Sequence, residues 1–340
     1  MNARQRISAM LQGNHPDRPA FCPAIYEHKA RLIGKSPSEV AQNADLLRQA
    51  LLAEYETYKP DMLTVGIDIY NIEAQALGAA VCFPDAVDAV PVISQHLLKS
   101  VHDVPKLKSV NFQTHGRIPL MLDAAQAVNK DIGNEVFVRG AISGPFSIAA
   151  GLAGIEPLLM AAVLEPEAVM SLMDICTKVA LDYGKAFLKR GMQVCIFDSQ
   201  TAPPLVSPVM YVDLILPHVK KLIRELHDSG AEFIEYVVGG DTSANVSNII
   251  ATGADIILSD FVSDAGVFIN CLQDKRTLLR RNISPAIIEF GDFDEIAQQV
   301  REVMSLARKY SNVIIGTGVL SYNTPIDKIK LVKSICLKEF

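Results

Sequence analysis

The chain of 340 residues contains no tryptophan, so no candidate site in it can rest on an indole ring. It has six cysteines, but none form the CxxC pairs typical of zinc and dithiol redox sites. There is no basic cluster, and the formal net charge of −6 argues against nucleic acid and anionic membranes as partners. A small anionic substrate is not excluded, because local charge decides its binding. No uncharged apolar run reaches the roughly 18 residues of a membrane-spanning helix, so none is expected.

The cysteines lie in apolar segments, as in Val194-Cys195-Ile196 and Ile335-Cys336-Leu337. We interpret them as small buried hydrophobic side chains in a reducing compartment. The first residues lead into an amphipathic helix and not into the apolar core of a secretion signal. We therefore expect a cytoplasmic protein.

Eight short apolar segments rich in β-branched residues are predicted to be strands. They are Ala20–Ala24, Met62–Gly66, Val136–Ile142, Gln193–Phe197, Phe233–Val238, Ile256–Ser259, Leu278–Ile283 and Val313–Gly316. Helical patterns separate most of them, including one long predicted helix over Ile155–Lys189. This alternation predicts an α/β fold with a parallel (β/α)8 TIM barrel. A doubly wound sheet is less favoured, because no GxGxxG or Walker pattern follows the first strand.

One region interrupts the alternation, from residue 69 to about residue 112. It contains two short β-like pieces, Ala80–Phe83 and Ala89–Ile93, with several prolines. We interpret it as an insertion over the top of the barrel, and the helix Asn2–Gly13 as an N-terminal extension. Because no linker or repeat is visible, we expect a single domain over residues 1–340.

Polar side chains follow most of the predicted strands. In a β/α barrel the functional residues lie at the C-terminal ends of the strands, so these side chains are expected to share one site. The candidate catalytic residues are Asp68, Glu27, His28 and Asp198. The candidate substrate-binding residues are Tyr26, Tyr70, Asn71, Ser143, Phe146, Asp241, Asn282 and Thr317.

Several of these residues allow more than one role. Glu27 beside His28 offers a general acid–base pair or two metal ligands, and Asp68 could bind a cation or move a proton. The metal candidates are therefore Glu27, His28 and Asp68. The alternatives are a helix-start Glu27 with His28 on the surface, and a loop-capping Asp68. Asp198 and Asp241 could equally cap the helices that follow them.

A set of segments, in order along nearly the whole chain, resembles the uroporphyrinogen decarboxylase superfamily, including its corrinoid-dependent methyltransferase branch. The segments are Pro16-Asp17-Arg18-Pro19 after the opening helix, Asp68-Ile69, Leu77-Gly78 to Phe83-Pro84, Ser143-Gly144-Pro145-Phe146, Asp198-Ser199 with Ser207-Pro208, His227-Asp228-Ser229-Gly230 and Asn282-Ile283-Ser284-Pro285. Each piece alone is weak, but the ordered set is specific. The resemblance implies a (β/α)8 barrel of the uroporphyrinogen decarboxylase type.

The decarboxylase itself fits poorly. Its arginine-rich substrate segment after the first strand has no counterpart in the segment from Ala24 to Arg31. Asp68 alone matches its key carboxylate, and Thr317 stands where the family has a late histidine. A porphyrinogen bears eight carboxylates, so the loss of basic contacts is a serious objection.

The methyltransferase branch fits better, but its zinc ligands are missing. Its thiol-methylating members hold zinc with a His-x-Cys after the fifth strand and a Cys after the eighth. Here those positions read Val237-Val238-Gly239 and Val319, which cannot bind zinc. Whether another metal is bound is left open.

The resemblance therefore implies a corrinoid-dependent methyltransferase of one-carbon metabolism. It would move a methyl group between a small non-thiol substrate, of the methoxy or methylamine type, and a partner protein that carries the corrinoid (methylcobalamin). The alternatives are a uroporphyrinogen decarboxylase-like lyase and a catalytically divergent small-molecule binding protein. The chain could also form a homodimer.

Overall fold

The computed structural model of the protein describes residues 1–107, 109–272 and 276–338, without the side chain of Lys106. Within these ranges the strands are β1 (Phe21–Ile25), β2 (Met62–Val65), β3 (Ala80–Cys82), β4 (Val92–Gln95), β5 (Phe137–Ser143), β6 (Gln193–Phe197), β7 (Ile234–Val237), β8 (Ile256–Ser259), β9 (Leu278–Ile283) and β10 (Val313–Leu320).

Helices connect the strands. They are α1 (Ala3–Leu11), α2 (His28–Arg31), α3 (Pro37–Ala41), α4 (Ala44–Tyr58), α5 (Ile72–Leu77), α6 (Ile118–Ile132), α7 (Pro145–Ala153), α8 (Ile155–Leu164), α9 (Pro166–Leu188), α10 (Pro208–Met210), α11 (Leu216–Asp228), α12 (Val246–Ile250), α13 (Ala265–Leu272), α14 (Pro285–Phe290), α15 (Phe293–Lys309) and α16 (Ile326–Lys338).

Eight strands form one sheet in the order β1-β10-β9-β8-β7-β6-β5-β2. Every pairing in this sheet is parallel. The edge strands β1 and β2 are joined by a backbone hydrogen bond of 2.8 Å from Asp61 N to Phe21 O, so the barrel is nearly closed. The predicted (β/α)8 barrel is confirmed, and the open-sheet alternative is wrong.

The barrel interior is layered, because alternate residues of each strand point inward. The layer nearest the strand N-termini is apolar and includes Met62, Phe137, Phe233 and Leu278, with α1 packed below it through Ile7. Two residues further along the strands the layer is charged. It contains Thr64, Arg139, Glu235 and Arg280. A cavity lies above this charged layer.

One predicted element was wrong in detail. The predicted helix Ile155–Lys189 is two helices, α8 and α9, which Glu165 separates. The segment Gly144-Pro145 leads into α7, with Pro145 in its first turn. Proline is favoured there, since its missing N–H would have no helical partner.

The insertion contains more structure than expected. Between β2 and α6 lie the helix α5, the antiparallel β3–β4 hairpin and a 3-10 turn over Val101–Lys106. The second β-like piece begins at Val92, three residues later than predicted. Val90 and Pro91 reach the cavity, so the insertion covers part of the barrel mouth.

All six cysteines are free thiols, and four are buried as expected, but Cys82 is exposed on the hairpin. Among the described residues no single helix is long and apolar enough to cross a membrane. The pair α7 and α8 reaches that length and composition together, with a bend of 108° between them.

Candidate functional site

A cavity of about 500 Å³ opens at the C-terminal ends of the barrel strands. Its volume lies in the range of small-molecule sites. Its apolar wall is formed mainly by Ile67, Ile69, Phe197, Val237, Leu258, Phe261 and Val319. Its polar lining residues are Tyr26, Glu27, Asp68, Tyr70, Asn71, Ser199, Asp260, Arg280, Asn282 and Thr317.

The structure brings together seven of the predicted site residues. They are Glu27, Asp68, Tyr26, Tyr70, Asn71, Asn282 and Thr317. Six of them follow a barrel strand or lie at its end, which is why strand-end reasoning found them. Thr317 lies within β10, which extends four residues beyond the predicted end at Gly316. His28, Asp198, Ser143, Phe146 and Asp241 do not line this cavity.

Glu27 is the carboxyl group at the mouth with the fewest partners. It is the second residue after β1 and directly precedes α2, which begins at His28. It makes no ion pair and no side-chain hydrogen bond to another described residue. Burial raises its pKa, and the charge of Lys29 offsets only part of this effect. A carboxylic acid with a raised pKa is suited to proton donation near neutral pH.

Asp68, by contrast, is held by a buried cation. Its two oxygens accept hydrogen bonds of 2.8 and 2.6 Å from Arg117, the residue directly before α6. Asn71 donates to Asp68 at 3.0 Å and to the Pro91 carbonyl at 2.6 Å. Asp68 therefore fastens the insertion over the cavity, and a free-carboxylate role has less support than the sequence suggested.

His28 points away from the cavity and is fully buried. Its Nδ1 lies 3.0 Å from the Ser321 carbonyl and its Nε2 lies 2.7 Å from the Tyr58 hydroxyl. The chain turns into α2 at this residue, so its side chain packs against α4 instead of continuing along the barrel wall. Burial lowers its pKa, which favours the neutral ring.

Asp198 lies beside the start of α7. One of its oxygens accepts from the Ser147 backbone N at 3.0 Å and from the Ser147 hydroxyl at 2.7 Å. A carboxylate at a helix N-terminus satisfies N–H groups that have no helical partner. Burial raises the pKa of Asp198 to about 6. Phe146, on the same first turn, is fully buried in the main core.

Ser143 and Asp241 also serve local structure. The Ser143 backbone N and hydroxyl donate to buried Glu73 at 2.6 and 2.9 Å. Asp241 is exposed and accepts from the Ser243 backbone N and hydroxyl. The glycine before it, Gly240, has a φ of +93°, a left-handed conformation that turns the chain outward after β7.

Asp260 is a lining residue absent from the predicted set. Its oxygens accept from Gly240 N at 2.8 Å, from Asn282 Nδ2 at 3.0 Å and from Phe261 N at 3.0 Å. It thereby links the loops after β7, β8 and β9. Its position directly after the predicted strand Ile256–Ser259 had marked it as one of several acidic side chains at the barrel mouth.

The charged layer below the cavity was also missed. Arg139 of β5, Glu235 of β7 and Arg280 of β9 are at most 2% exposed. Both guanidinium groups pair with the one carboxylate, and Arg139 also donates to Thr64 Oγ1 at 2.7 Å. Burial opposes ionisation of Glu235, but the two arginines outweigh it and lower its pKa.

The donor set does not fit zinc. Val237, Gly239 and Val319, which stand at the zinc-ligand positions of the resembled branch, all line the cavity without a donor side chain. Glu27 and Asp68 line the cavity, but His28 points away from it, so the three candidates do not form one metal site. Within the described ranges no group of three or more His, Cys, Asp and Glu side chains could hold a metal ion.

Comparison with known proteins identifies the family. The sequence profile described as Uroporphyrinogen decarboxylase (URO-D) matches residues 2–336. The chain belongs to the uroporphyrinogen decarboxylase family. This confirms the resemblance drawn from the sequence, and the barrel described above is the fold of that family.

Relatives within the family carry two different activities. The chain is 24% identical to the "Methylcobamide:CoM methyltransferase MtbA" of Methanosarcina acetivorans, covering 99% of this chain and 98% of that one. It is 25% identical to the "Uroporphyrinogen decarboxylase" of Geotalea uraniireducens, over 82% of this chain and 86% of that one. These family members are thus enzymes, methyltransferases and decarboxylases.

A solved structure has the same fold. The "methyltransferase from Methanosarcina mazei" superposes with a TM-score of 0.88 at 18% identity, over 100% of this chain and 99% of that one. At this identity the similarity establishes the barrel architecture alone.

The buried Glu73 gives a pH-dependence prediction. Burial raises its pKa to about 7, even though Ser143 donates to it, whereas the ordinary value is 4.5. The unfolded chain therefore loses this proton before the folded protein does. The contribution of Glu73 to the free energy of unfolding is complete below about pH 4.5. It falls by up to about 3 kcal/mol as the pH rises to about 7.

Glu73→Gln removes this titration. Denaturant unfolding at several pH values is expected to show a free energy of unfolding that falls less steeply from pH 5 to 7 in the variant than in wild type. The exposed Glu56→Gln variant is the control and should follow the wild-type slope. Parallel profiles for wild type and Glu73→Gln would contradict this account of Glu73.

Proposed function

We propose that this protein transfers a methyl group between a small non-thiol substrate and a corrinoid protein. The observation that carries the proposal is a small, mostly apolar cavity whose least-partnered carboxyl group, Glu27, has a raised pKa. The full-length similarity to a protein named methylcobamide:CoM methyltransferase supports the same reaction class. Val237, Gly239 and Val319 offer no zinc ligand at the zinc-ligand positions of the resembled branch, which supports a substrate other than a thiol.

The corrinoid is treated as a co-substrate delivered by its own protein. A cavity of about 500 Å³ suits a compact ligand, whereas a corrinoid with its nucleotide tail would have to lie over the mouth. The corrinoid would supply a reduced cobalt centre as the nucleophile that accepts the methyl group.

Glu27 would act as the general acid for a methoxy substrate. As the carbon–oxygen bond breaks, its electron pair stays on oxygen, and that oxygen takes the Glu27 proton. Leaving-group protonation matters because an alkoxide or phenoxide is a poorer leaving group than the neutral alcohol or phenol. The apolar wall would exclude water and favour the protonated form of the carboxyl group.

Exposed apolar side chains near the mouth support a protein partner. Val209, Val262, Phe290 and Val319 are all more than half exposed, with Phe290 at 80%. Val319 lies in β10 and lines the cavity, and Val209, Val262 and Phe290 follow β6, β8 and β9 along the chain. Exposed apolar side chains mark protein–protein contacts where they lie together, here with the corrinoid protein.

A decarboxylase is the second candidate, because several relatives are named uroporphyrinogen decarboxylase. The lining argues against it. A substrate with eight carboxylates needs several cationic contacts, and Arg280 is the one lysine or arginine among the described lining residues.

The proposal is tested with purified protein and chemically reduced cobalamin. Methoxylated benzoates and methylamine are offered in turn, and cobalt alkylation is followed by the visible spectrum. We expect alkylation with at least one substrate, at a rate that scales with protein concentration. Uroporphyrinogen is offered in parallel, and its carboxylate count is followed by chromatography. Decarboxylation without any alkylation would contradict methyl transfer and establish the second candidate.

A further inference from the structure

The cavity floor carries an unbalanced positive charge. Arg139 and Arg280 contribute two positive charges and Glu235 one negative charge, all in nearly complete burial. The other buried pair nearby, Lys29 with Glu54 at 3.0 Å, is balanced. Among the described residues no second carboxylate forms an ion pair with either arginine, so the floor has a net charge of +1. An uncompensated charge in a dry interior is costly, so an anion is strongly favoured there.

Arg280 is the member of the floor that reaches the cavity. Its Nε lies 3.0 Å from Glu235 Oε1, and this ion pair is its one polar side-chain contact among the described residues. The ends of its guanidinium are thus free to donate. A Cβ at Gly316 would come within 2.8 Å of Arg280 Cγ, so the glycine on β10 leaves room for this side chain.

Tyr26 adds a hydroxyl donor beside this cation. It lines the cavity and makes no side-chain hydrogen bond to another described residue. It is close enough to Arg280 for the guanidinium charge to offset part of the effect of burial on the Tyr26 pKa. A guanidinium and a phenol that line the same cavity offer N–H and O–H donors to the two oxygens of a carboxylate.

We infer that the cavity floor binds the carboxylate of an acid substrate through Arg280 and Tyr26. The apolar wall above it fits an aromatic or aliphatic spacer. The reacting end of the ligand then lies towards the mouth, near Glu27. Combined with the proposed function, on which this part rests, the substrate class is a methoxylated carboxylic acid. A cationic methylamine is disfavoured, because the floor would repel it.

The test measures binding without any corrinoid. Benzoate and 3-methoxybenzoate are titrated calorimetrically into the protein, alongside their neutral isosteres benzamide and 3-methoxybenzamide. Wild type is expected to bind the acids more than 10-fold tighter than the amides. Arg280→Met is expected to weaken the acids by roughly 10- to 100-fold and to leave the amides nearly unchanged, as for a lost charged hydrogen bond.

The fold should survive this substitution, because it leaves Arg139 and Glu235 as a balanced pair. Arg48→Met, at an exposed arginine paired with Asp131, is the matched control and should bind like wild type. If Arg280→Met does not fold, the anion site is tested instead by the thermal unfolding midpoint of wild type in the presence of each ligand. The acids should then raise its midpoint more than the amides do at equal concentration.

The inference is overturned if the acids bind Arg280→Met as tightly as wild type, if wild type prefers the amides, or if no acid binds. Its failure is separable from that of the proposed function. A protein that binds the acids without demethylating them keeps the anion site and loses methyl transfer. Equal demethylation of the acids and the amides would support methyl transfer and refute the anion site.

Discussion

Replacing Glu235 by leucine is expected to lower the free energy of unfolding by about 5 kcal/mol or to prevent folding altogether. The carboxylate is fully buried between Arg139 and Arg280, which are themselves 2% exposed. Without it, two guanidinium groups would lie in the barrel interior with no counter-charge. Desolvated unpaired charges are among the most costly defects in a folded protein.

Denaturant unfolding measures this loss, and Glu232→Leu is the matched control. Glu232 precedes β7 on the same segment, but it is exposed and pairs with Arg4 at 3.0 Å. Its replacement should change the free energy of unfolding by about 1 kcal/mol or less. The triple variant Arg139→Met, Glu235→Leu, Arg280→Met should recover most of the lost stability, because an apolar layer replaces the charged one. A Glu235→Leu protein as stable as wild type would refute the buried charge layer.

Glu27→Gln is expected to lower kcat for demethylation by about 10²- to 10³-fold, the usual contribution of a general acid. The amide is nearly the same size, so substrate binding should change little. The raised pKa of Glu27 fixes the sign of the pH dependence. Wild-type kcat should fall as the pH rises through this pKa, since the proton donor is lost, and the fall should be absent in the variant.

Steady-state rates over a range of pH, with substrate affinity measured separately, check this prediction. Glu56→Gln, at an exposed glutamate far from the barrel mouth, should keep the wild-type rate and profile. If Glu27→Gln retains both the rate and the alkaline fall, another group donates the proton. Asp260 would then be the next lining carboxyl group to examine.

Much of the barrel could be predicted because β-branched runs alternate with helical periods. The strand-end residues Tyr26, Tyr70 and Thr317 were found for the same reason. His28 and Asp198 show the limit of that reasoning. Both also follow strands, but the chain turns directly into α2 or meets the start of α7, and these turns aim the side chains away from the cavity.

The sequence contains a signal for the charged floor that the strand-end reasoning did not use. Arg139, Glu235 and Arg280 each interrupt an apolar strand of a parallel sheet, where both faces are usually buried and uncharged. Opposite charges at the same depth on alternate strands of a barrel lie in one layer and predict an internal ion pair. What the sequence could not provide was the depth, because strand register is set by packing around the whole barrel.

The most direct test of methyl transfer follows the methyl carbon itself. The protein is mixed with reduced cobalamin and 3-methoxybenzoate that carries ¹³C in the methoxyl group, and the label is followed by NMR. The account predicts that the label leaves oxygen and appears on cobalt, with one hydroxybenzoate formed for each methyl group moved. A label that stays on oxygen while the protein binds 3-methoxybenzoate would contradict methyl transfer from a methoxylated acid.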